Sequence, residues 1–445
     1  MWIEKLSVEN FRLFEKQSFS FHPEFNLIVG ENGSGKTSLF TLLTIVLSGW
    51  IGNICKIPSK ESISFNEYDL RNIVVEYSGE LRDNRATFYR IRADWNGLPT
   101  TEGKEETSFW NACYESYGRS GKIRPRHELS HINNDFIAFR ESHADFTMPL
   151  FAAYRCNRLW KPNTSKDKVK TVRKAMEERY ERADGYLGWA YAYADDNILM
   201  SWIQKLDIIA YQENTKPLGW QVMQNALKAS LDSFDLLHFR AKEGQLIILF
   251  KDGRRIPFNQ LSDGQRTLFA MIGDMVRRAV LLNPQLGEKV LEETPGVVLI
   301  DELDLHLHPK WQRRIIEDLR RTFPKIQFIA TTHSPFLIQS LREGKLIQLD
   351  GETGEEYSDV SIEDIAENIQ GVEMPQKSLR FTQMMEAAEA YYKRLHECAD
   401  ETDPQTQSLK QRLDELSIPF SDDPAFAAFL KFERDTLVAK EEKEG

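Results

Sequence analysis

The chain has 445 residues, of which 41% are hydrophobic and 28% are charged. This composition is typical of a globular protein and argues against an intrinsically disordered chain, and the length is sufficient for two or three domains. The net charge of −11 excludes a protein whose whole surface holds nucleic acid, so any such contact has to be local or made by a partner.

The cysteines and the hydropathy pattern limit the compartment and the cofactors. Four cysteines lie far apart and form no C-x-x-C pair, which argues against a disulfide framework, a zinc site and an iron–sulfur cluster. No apolar run reaches about 18 residues, and the first residues lack the pattern of a signal peptide. We therefore expect a cytoplasmic protein that does not interact with a membrane.

The segment Gly30–Thr37 fits the pattern G-x-x-x-x-G-K-[ST] of a phosphate-binding loop. Phe25–Val29 before it is predicted to be a short buried strand, and the apolar residues after it recur at helical spacing. A glycine turn that caps a helix is the alternative interpretation, but a strand, the loop and a helix in this order are the context that the motif requires. The sequence therefore predicts a nucleotide-binding site.

The residue types in this loop suit a bound triphosphate. Its glycines let successive backbone N–H groups face the phosphates at a helix N-terminus, while Lys36 pairs with the β- and γ-phosphate oxygens. The hydroxyl of Thr37 is a ligand for Mg²⁺. The predicted nucleotide contacts in this region are Asn32, Gly33, Ser34, Gly35, Lys36, Thr37 and Ser38.

The middle of the chain, residues 161–250, is predicted to be mostly helical, with amphipathic stretches at Trp202–Ile209 and Val222–Leu237. A basic run from Lys161 to Arg182 precedes these stretches. It is followed by four aromatic residues, Tyr186, Trp189, Tyr191 and Tyr193. Two interpretations stay open: a solvated helical lid with a packed aromatic seam, or a surface for nucleic acid or a partner protein.

Further along, Leu261–Gln265 opens a predicted helix. Ser262 is placed to cap this helix, and Gly264 leaves its backbone amide free to face an anion. The sequence therefore predicts a second segment of the chain that can contact phosphate.

Two apolar strands end in polar groups. Gly296–Ile300 is followed by Asp301 and Glu302; opposite a phosphate loop, Asp301 would hold Mg²⁺ through water, and Glu302 would position and polarise the attacking water. A buried strand with a solvated acidic end is the alternative. Ile326–Thr332 ends in His333, at the edge where open α/β sheets bind ligands, which predicts a contact with the γ-phosphate.

The order of these four motifs resembles that of ABC-type ATPase heads of the branch that contains SMC and RecF proteins, and Leu261–Gln265 is similar to their signature motif. The resemblance implies an α/β fold, a P-loop NTPase head with a mixed sheet core, built from residues 1–160 and 251–350. A helical insertion at 161–250 and a C-terminal helical region at 351–445 would complete the chain.

The resemblance also implies the assembly and further site residues. One phosphate loop and one signature motif per chain imply a homodimer or higher homo-oligomer around ATP and Mg²⁺, in which Ser262, Gly264 and Gln265 of one copy close over the nucleotide of the other. Arg12 resembles the basic residue that lies near the nucleotide in this branch. The glutamine that usually follows the middle strand is not evident, and four residues stand where it would be: Tyr154, Arg155, Asn157 and Arg158.

Two further stretches, the histidine-containing turn Leu303–Gln312 and the segment Ile369–Ser378, resemble the ATPases of Septu-type and retron-associated anti-phage systems, the PtuA family. This resemblance implies an ATP-hydrolysing sensor or regulatory subunit that controls a separately encoded HNH-type nuclease, in retrons with a reverse transcriptase and its nucleic acid. A RecF-like repair ATPase that clamps DNA directly is the alternative. The tail helices are expected to cover the core of the chain, or else another protein.

Overall fold

The structure, a computed structural model, describes residues 1–54, 69–77, 80–86, 88–98, 106–115, 126–129, 146–156, 180–190, 196–231, 233–240, 245–351, 357, 359–372, 379–398 and 403–417. Its strands, in chain order, are β1 (Trp2–Phe11), β2 (Phe14–Ser20), β3 (Phe25–Val29), β4 (Asn72–Tyr77), β5 (Glu80–Arg85), β6 (Phe88–Leu98), β7 (Glu106–Glu115), β8 (Arg126–Leu129), β9 (Leu150–Tyr154), β10 (Phe234–Arg240), β11 (Gln245–Phe250), β12 (Arg255–Pro257), β13 (Gly296–Ile300), β14 (Ile326–Thr331) and β15 (Lys345–Gln348).

The α-helices are α1 (Lys36–Ile54), α2 (Asp196–Gln212), α3 (Leu218–Ser230), α4 (Asp263–Leu282), α5 (Val290–Glu293), α6 (Pro309–Gln312), α7 (Ile315–Thr322), α8 (Pro335–Ser340), α9 (Ile362–Asn368), α10 (Leu379–Cys398) and α11 (Pro404–Ser417). Short 3-10 helices lie at Arg182–Tyr186, Phe258–Gln260 and Pro284–Lys289. None of these helices is both long and apolar enough to cross a membrane.

A parallel sheet in the order β15-β3-β14-β13-β9 forms the centre of the fold. Strands β3, β9, β13 and β14 are buried along their whole length, which is why their sequences are continuous apolar runs and not alternating patterns. Because β3, β14 and β13 are neighbours and run in one direction, the loops that follow them meet at one edge of the sheet.

A second, antiparallel sheet has the order β2-β1-β6-β7-β8. It packs on the parallel sheet through Trp95 of β6, whose ring lies 5.4 Å from that of Trp50 and 6.3 Å from that of Phe151. Gln327 of β14 joins the two sheets by a reciprocal pair of hydrogen bonds with the backbone of Ile3, both 2.9 Å long.

The predicted α/β fold class is confirmed, with one difference in the arrangement of the strands. The parallel and antiparallel strands belong to separate sheets and do not form one mixed sheet. The reason is that β1 uses both of its edges to pair with β2 and β6, while β3 uses both of its edges to pair with β14 and β15.

The prediction of a mostly helical segment over 161–250 is wrong for its last part. Helix α3 ends at Ser230, and β10 begins at Phe234, inside the stretch Val222–Leu237 for which the sequence predicts amphipathic helical structure. Strand β10 pairs with β11, and Gln224 of α3 exchanges two hydrogen bonds with the backbone of Leu237. Cross-strand pairing therefore outweighs the helical spacing of the apolar residues.

The chain divides into two compact units, residues 1–365 and 366–445. In the second unit, α10 and α11 pack against each other through a small core that includes Met384, Tyr391 and Leu413. The apolar faces of these two tail helices thus cover one another, an arrangement that the sequence did not predict.

Candidate active site

The phosphate loop connects β3 to α1, as its motif predicts. Gly30, Gly33 and Gly35 have φ angles of 153°, 92° and 110°, values that residues other than glycine rarely adopt. Helix α1 begins at Lys36, so its free N–H groups and the positive end of its dipole face the loop. The sequence therefore folds here into a cradle for an anion.

Lys36 is held inside this loop. Its Nζ donates to Gly30 O at 2.6 Å and to Glu31 O at 2.7 Å. Burial lowers the pKa of Lys36 from its usual value, and the negative charges of Asp350, Asp301 and Glu302 oppose that shift. The ammonium group thus has carbonyl partners that phosphate oxygens can replace.

The carboxylates after β13 are organised by Thr331 of β14. Its Oγ1 donates to Asp301 Oδ1 at 2.7 Å and accepts from the backbone N–H of Glu302 at 2.7 Å. Glu302 has a left-handed φ of 50°, a conformation that costs a residue other than glycine roughly 1–2 kcal/mol. Such strain at the end of a buried strand is typical of a functional site.

His333 follows β14 and is exposed. Its backbone N–H donates to Asp304 Oδ1 at 3.3 Å, and the same oxygen accepts from Thr332 Oγ1 at 2.6 Å. Asp304 therefore ties the turn after Glu302 to the turn that carries His333.

These groups share one cavity of about 210 Å³, lined by Leu13, Asn32, Gly33, Gly35, Lys36, Thr37, Ser38, Asp301, Glu302, Thr331 and His333. Ser34 belongs to the loop but not to this lining, and its buried Oγ has no hydrogen-bond partner among the described residues. The set of donors fits a triphosphate, because it combines one ammonium with the N-terminus of a helix. The Thr37 hydroxyl and the Asp301 carboxylate supply the hard oxygen ligands that Mg²⁺ prefers.

Sequence reasoning missed two residues of this cavity, Leu13 and Thr331. Leu13 lies in the turn between β1 and β2, and 60% of its surface is exposed. Thr331 is a polar residue in an otherwise apolar strand and is only 1% exposed. A buried threonine one strand away from an acidic strand end was the signal that could have identified it.

Arg12 does not line the cavity. Its guanidinium pairs with Asp69, with 2.8 Å between Nη2 and Oδ1, and its Nη1 lies 3.5 Å from Thr41 Oγ1 in the second turn of α1. The side chain of Asp69 is only 3% exposed. Arg12 therefore lies beside the helix that follows the phosphate loop, held there by a buried acid.

The signature residues also lie outside the cavity, at the N-terminus of α4. Ser262 Oγ accepts from Gln265 N–H at 3.3 Å, and Gln265 Oε1 accepts from Ser262 N–H at 3.2 Å. The predicted helix cap at Ser262 is thus confirmed, in the form of a capping box. A Cβ on Gly264 would lie 2.2 Å from His306 O, so only glycine fits at this close approach.

Two of the four candidates for the missing glutamine lie in the described part of the chain. The hydroxyl of Tyr154 donates to Asp274 Oδ2 at 2.9 Å inside the core, so this side chain points to α4. Arg155 lies over the ring of Phe40 in α1, 5.7 Å from its centre. Asn157 and Arg158 lie outside the described residues.

The basic run from Lys161 to Arg182 lies outside the described residues, apart from its last three positions. Arg182 donates from Nε to Leu282 O at 2.6 Å, at the end of α4. Tyr186 and Trp189 are 1% and 0% exposed, so these two aromatic side chains are packed in the interior and are not accessible for stacking with nucleic-acid bases. Tyr191 and Tyr193 lie outside the described residues.

Comparison with known proteins places the chain in a family. Residues 25–339, more than half of the chain, match the family described as "AAA domain, putative AbiEii toxin, Type IV TA system". The chain belongs to this family. Together with the phosphate loop and the acidic strand end, this membership identifies the chain as an ATPase.

Relatives of this ATPase include the retron Vc95 probable ATPase of Vibrio cholerae serotype O1 biovar El Tor, which is 23% identical over 76% of this chain and 71% of that protein. The Septu protein PtuA of Bacillus mycoides is 42% identical, but over only 22% of this chain and 13% of that protein. The predicted relationship to retron and Septu ATPases is confirmed. Among solved structures, the SMC head bound to the C-winged helix domain of ScpA matches 80% of this chain and 96% of that one, with 15% identity and a TM-score of 0.45.

Proposed function

We propose that this ATPase is the regulatory or sensor subunit of an anti-phage defence complex. The observation that carries the proposal is one cavity that holds Lys36, Asp301, Glu302 and His333 in a chain with relatives named retron and Septu ATPases. The retron relative matches along most of its length, so the similarity extends beyond the phosphate loop.

The proposed reaction is the attack of water on the γ-phosphorus of ATP, which breaks the bond to the β–γ bridging oxygen and releases ADP and inorganic phosphate. Lys36 exchanges its two carbonyl partners for phosphate oxygens, and Glu302 orients the water and accepts its proton. His333 contacts the γ-phosphate. Thr37 and Asp301 would hold Mg²⁺, which neutralises charge on the phosphates when it is bound.

The nucleotide is proposed to be shared between two copies of the chain. Ser262, Gly264 and Gln265 lie outside the cavity that the phosphate loop lines, at the N-terminus of a 20-residue helix. A helix N-terminus attracts anions, so a second copy would complete the site by placing α4 against the γ-phosphate. The result is a homodimer, or a higher homo-oligomer, that closes around ATP.

The proposed partner of this assembly is a separately encoded HNH-type nuclease, in a retron system together with a reverse transcriptase and its nucleic acid. In this arrangement the ATPase does not cut nucleic acid itself. It holds the nuclease inactive until infection changes its nucleotide state or its assembly.

Co-expression of the tagged chain with its genomic neighbours tests the proposal. Sized complexes purified with and without ATP are identified by mass spectrometry, with the Lys36→Ala chain as the matched control. Recovery of a nuclease with the wild-type chain is the expected result. A chain that purifies alone as an ATP-dependent dimer, and whose hydrolysis is stimulated by DNA, would support the RecF-like clamp instead.

A further inference from the structure

Asp350 belongs to none of the motifs that define the site, yet it reaches the phosphate loop. It follows β15, which pairs in parallel with β3 so that Gln348 lies opposite Val29. The N–H of Leu349 continues this ladder to Val29 O at 3.1 Å. The ladder therefore brings Asp350 to the point where β3 ends and the phosphate loop begins.

At this point Asp350 contacts the loop backbone. Its Oδ2 accepts from the N–H of Glu31 at 2.5 Å, and hydrogen bonds to a carboxylate are shorter and stronger than those between neutral groups. The same peptide group presents its carbonyl, Gly30 O, to Lys36 Nζ at 2.6 Å. One peptide plane is thus held between the carboxylate and the ammonium group.

The conformation of Gly30 explains why an outside group is needed to orient this peptide. Gly30 has a φ of 153°, and glycine populates such angles about as readily as ordinary ones, so the residue itself sets no orientation. A Cβ on Gly30 would lie 2.9 Å from Asp350 Oδ1 and 2.5 Å from Ser34 Oγ. The carboxylate therefore packs directly against the backbone that it orients.

We propose that Asp350 is a positioning residue of the ATP site described under the proposed function, on which this inference rests. Asp350 fixes the Gly30–Glu31 peptide and with it the resting place of the Lys36 ammonium. With the peptide fixed, Lys36 exchanges carbonyl oxygens for phosphate oxygens while the loop backbone stays in place. When the carboxylate is absent, the peptide is free to turn its N–H toward Lys36, and ATP binding has to order the loop. Loss of the carboxylate is therefore expected to weaken ATP binding and to leave kcat unchanged, because the ATP-bound loop has the same conformation with and without Asp350.

Three variants test the proposal, with kcat and KM measured for hydrolysis and the ATP dissociation constant measured by titration. Asp350→Ala is expected to raise KM and the dissociation constant about fivefold to tenfold, with kcat within about twofold of wild type. Asp350→Asn is expected to restore binding to within about twofold, because its amide oxygen still accepts from Glu31 N–H. Asp359→Ala removes an exposed carboxylate further along the chain and is expected to bind ATP as wild type does.

Two results would overturn the proposal. Unchanged ATP affinity in Asp350→Ala would show that the peptide is oriented without the carboxylate. Equal weakening in Asp350→Asn and Asp350→Ala would show that the charge, and not the hydrogen bond to Glu31, affects binding. Thermal unfolding of each variant serves as a check, because a fall in kcat and Tm at constant KM would indicate a merely structural role and would also contradict the proposal.

Discussion

Single side chains of this site act largely by orienting one another. Thr331 Oγ1 bridges the Asp301 carboxylate and the Glu302 backbone. Asp304 Oδ1 likewise joins the two residues that follow β14, Thr332 and His333. Fixed polar groups of this kind need no reorganisation when charge develops in a transition state. Lys36 and Glu302 are the residues with proposed direct chemical roles, and their substitution is expected to separate binding from hydrolysis.

Lys36→Ala is expected to abolish ATP binding, with the dissociation constant raised at least about 100-fold, because the phosphates lose a charge-assisted partner inside the loop. Titration with a fluorescent ATP analogue measures this loss. Lys16→Ala removes an exposed lysine of β2 that does not line the cavity and is the matched control. Affinity within threefold of wild type in Lys36→Ala would contradict the proposed role.

Glu302→Gln is expected to lower kcat by about 100-fold or more, because the amide cannot accept a proton from the attacking water. The ATP dissociation constant should stay close to that of wild type, since glutamine keeps the size of the side chain and Lys36 is unchanged. Single-turnover hydrolysis and equilibrium binding separate the two effects. Undiminished hydrolysis would mean that another group activates the water.

Among the elements, α4 connects the signature motif to the core. Asp274 in its middle is 4% exposed and accepts from Arg278 Nε at 2.6 Å, from Arg277 at 3.0 Å and from the hydroxyl of Tyr154 at 2.9 Å. Arg278 also donates to Gly185 O at 2.9 Å. This buried cluster joins α4 to β9 and to the turn at residues 185–188, so the orientation of the signature helix depends on it.

Asp274→Ala is expected to destabilise the fold by about 3–5 kcal/mol, because it leaves two buried guanidinium groups without their carboxylate. Urea unfolding measures the loss. Asp235→Ala removes an exposed carboxylate, paired with Lys228 at 3.8 Å, and should change stability by less than about 1 kcal/mol. Equal stability of the two variants would show that the cluster contributes nothing to the fold.

The same cluster predicts a pH dependence. Burial by itself would raise the pKa of Asp274, but the charges of Arg278 and Arg277 outweigh it, so this pKa is lowered in the folded chain. The resulting stabilisation is present above the unfolded pKa of about 3.9 and is lost as the pH falls through the folded pKa. We therefore expect the stability difference between wild type and Asp274→Ala to shrink below about pH 4, measured by unfolding at several pH values.

For the whole molecule, the decisive property is that the signature motif lies outside the cavity that the phosphate loop lines. The cavity contains the phosphate loop and both acidic residues, whereas Ser262 caps α4 outside it. If two copies complete each other's sites, nucleotide binding and dimerisation are coupled, and ATP stabilises the dimer by mass action.

Ser262→Arg tests this coupling. In a Glu302→Gln background with ATP, the parent chain is expected to form a closed dimer. The Ser262→Arg variant is expected to stay monomeric, because the large arginine side chain blocks approach of the second copy. Light scattering after size exclusion gives the masses, and Gln212→Arg at the exposed end of α2 is the control. ATP affinity of the monomer should be unchanged, so weaker binding by monomeric Ser262→Arg would refute the shared site.

The sequence alone determined the features that act within a few residues of the chain. The glycines and lysine of Gly30–Thr37, the capping box at Ser262 and the buried strands β3, β9, β13 and β14 follow from local backbone freedom, helix-end hydrogen bonding and hydrophobicity. Those local motifs include most of the residues that line the cavity, and they carry the family resemblance that implied the fold class.

The tertiary structure decided the rest. Asp350 contacts Glu31 across 319 residues of chain, and Thr331 reaches Asp301 from 30 residues away. The strand conformation of Phe234–Arg240 depends on antiparallel pairing with the next strand, β11, and the separation of the strands into two sheets depends on pairing between distant segments. Such contacts exist only after parallel strands align, because alignment brings together ends that have no relation in the linear chain.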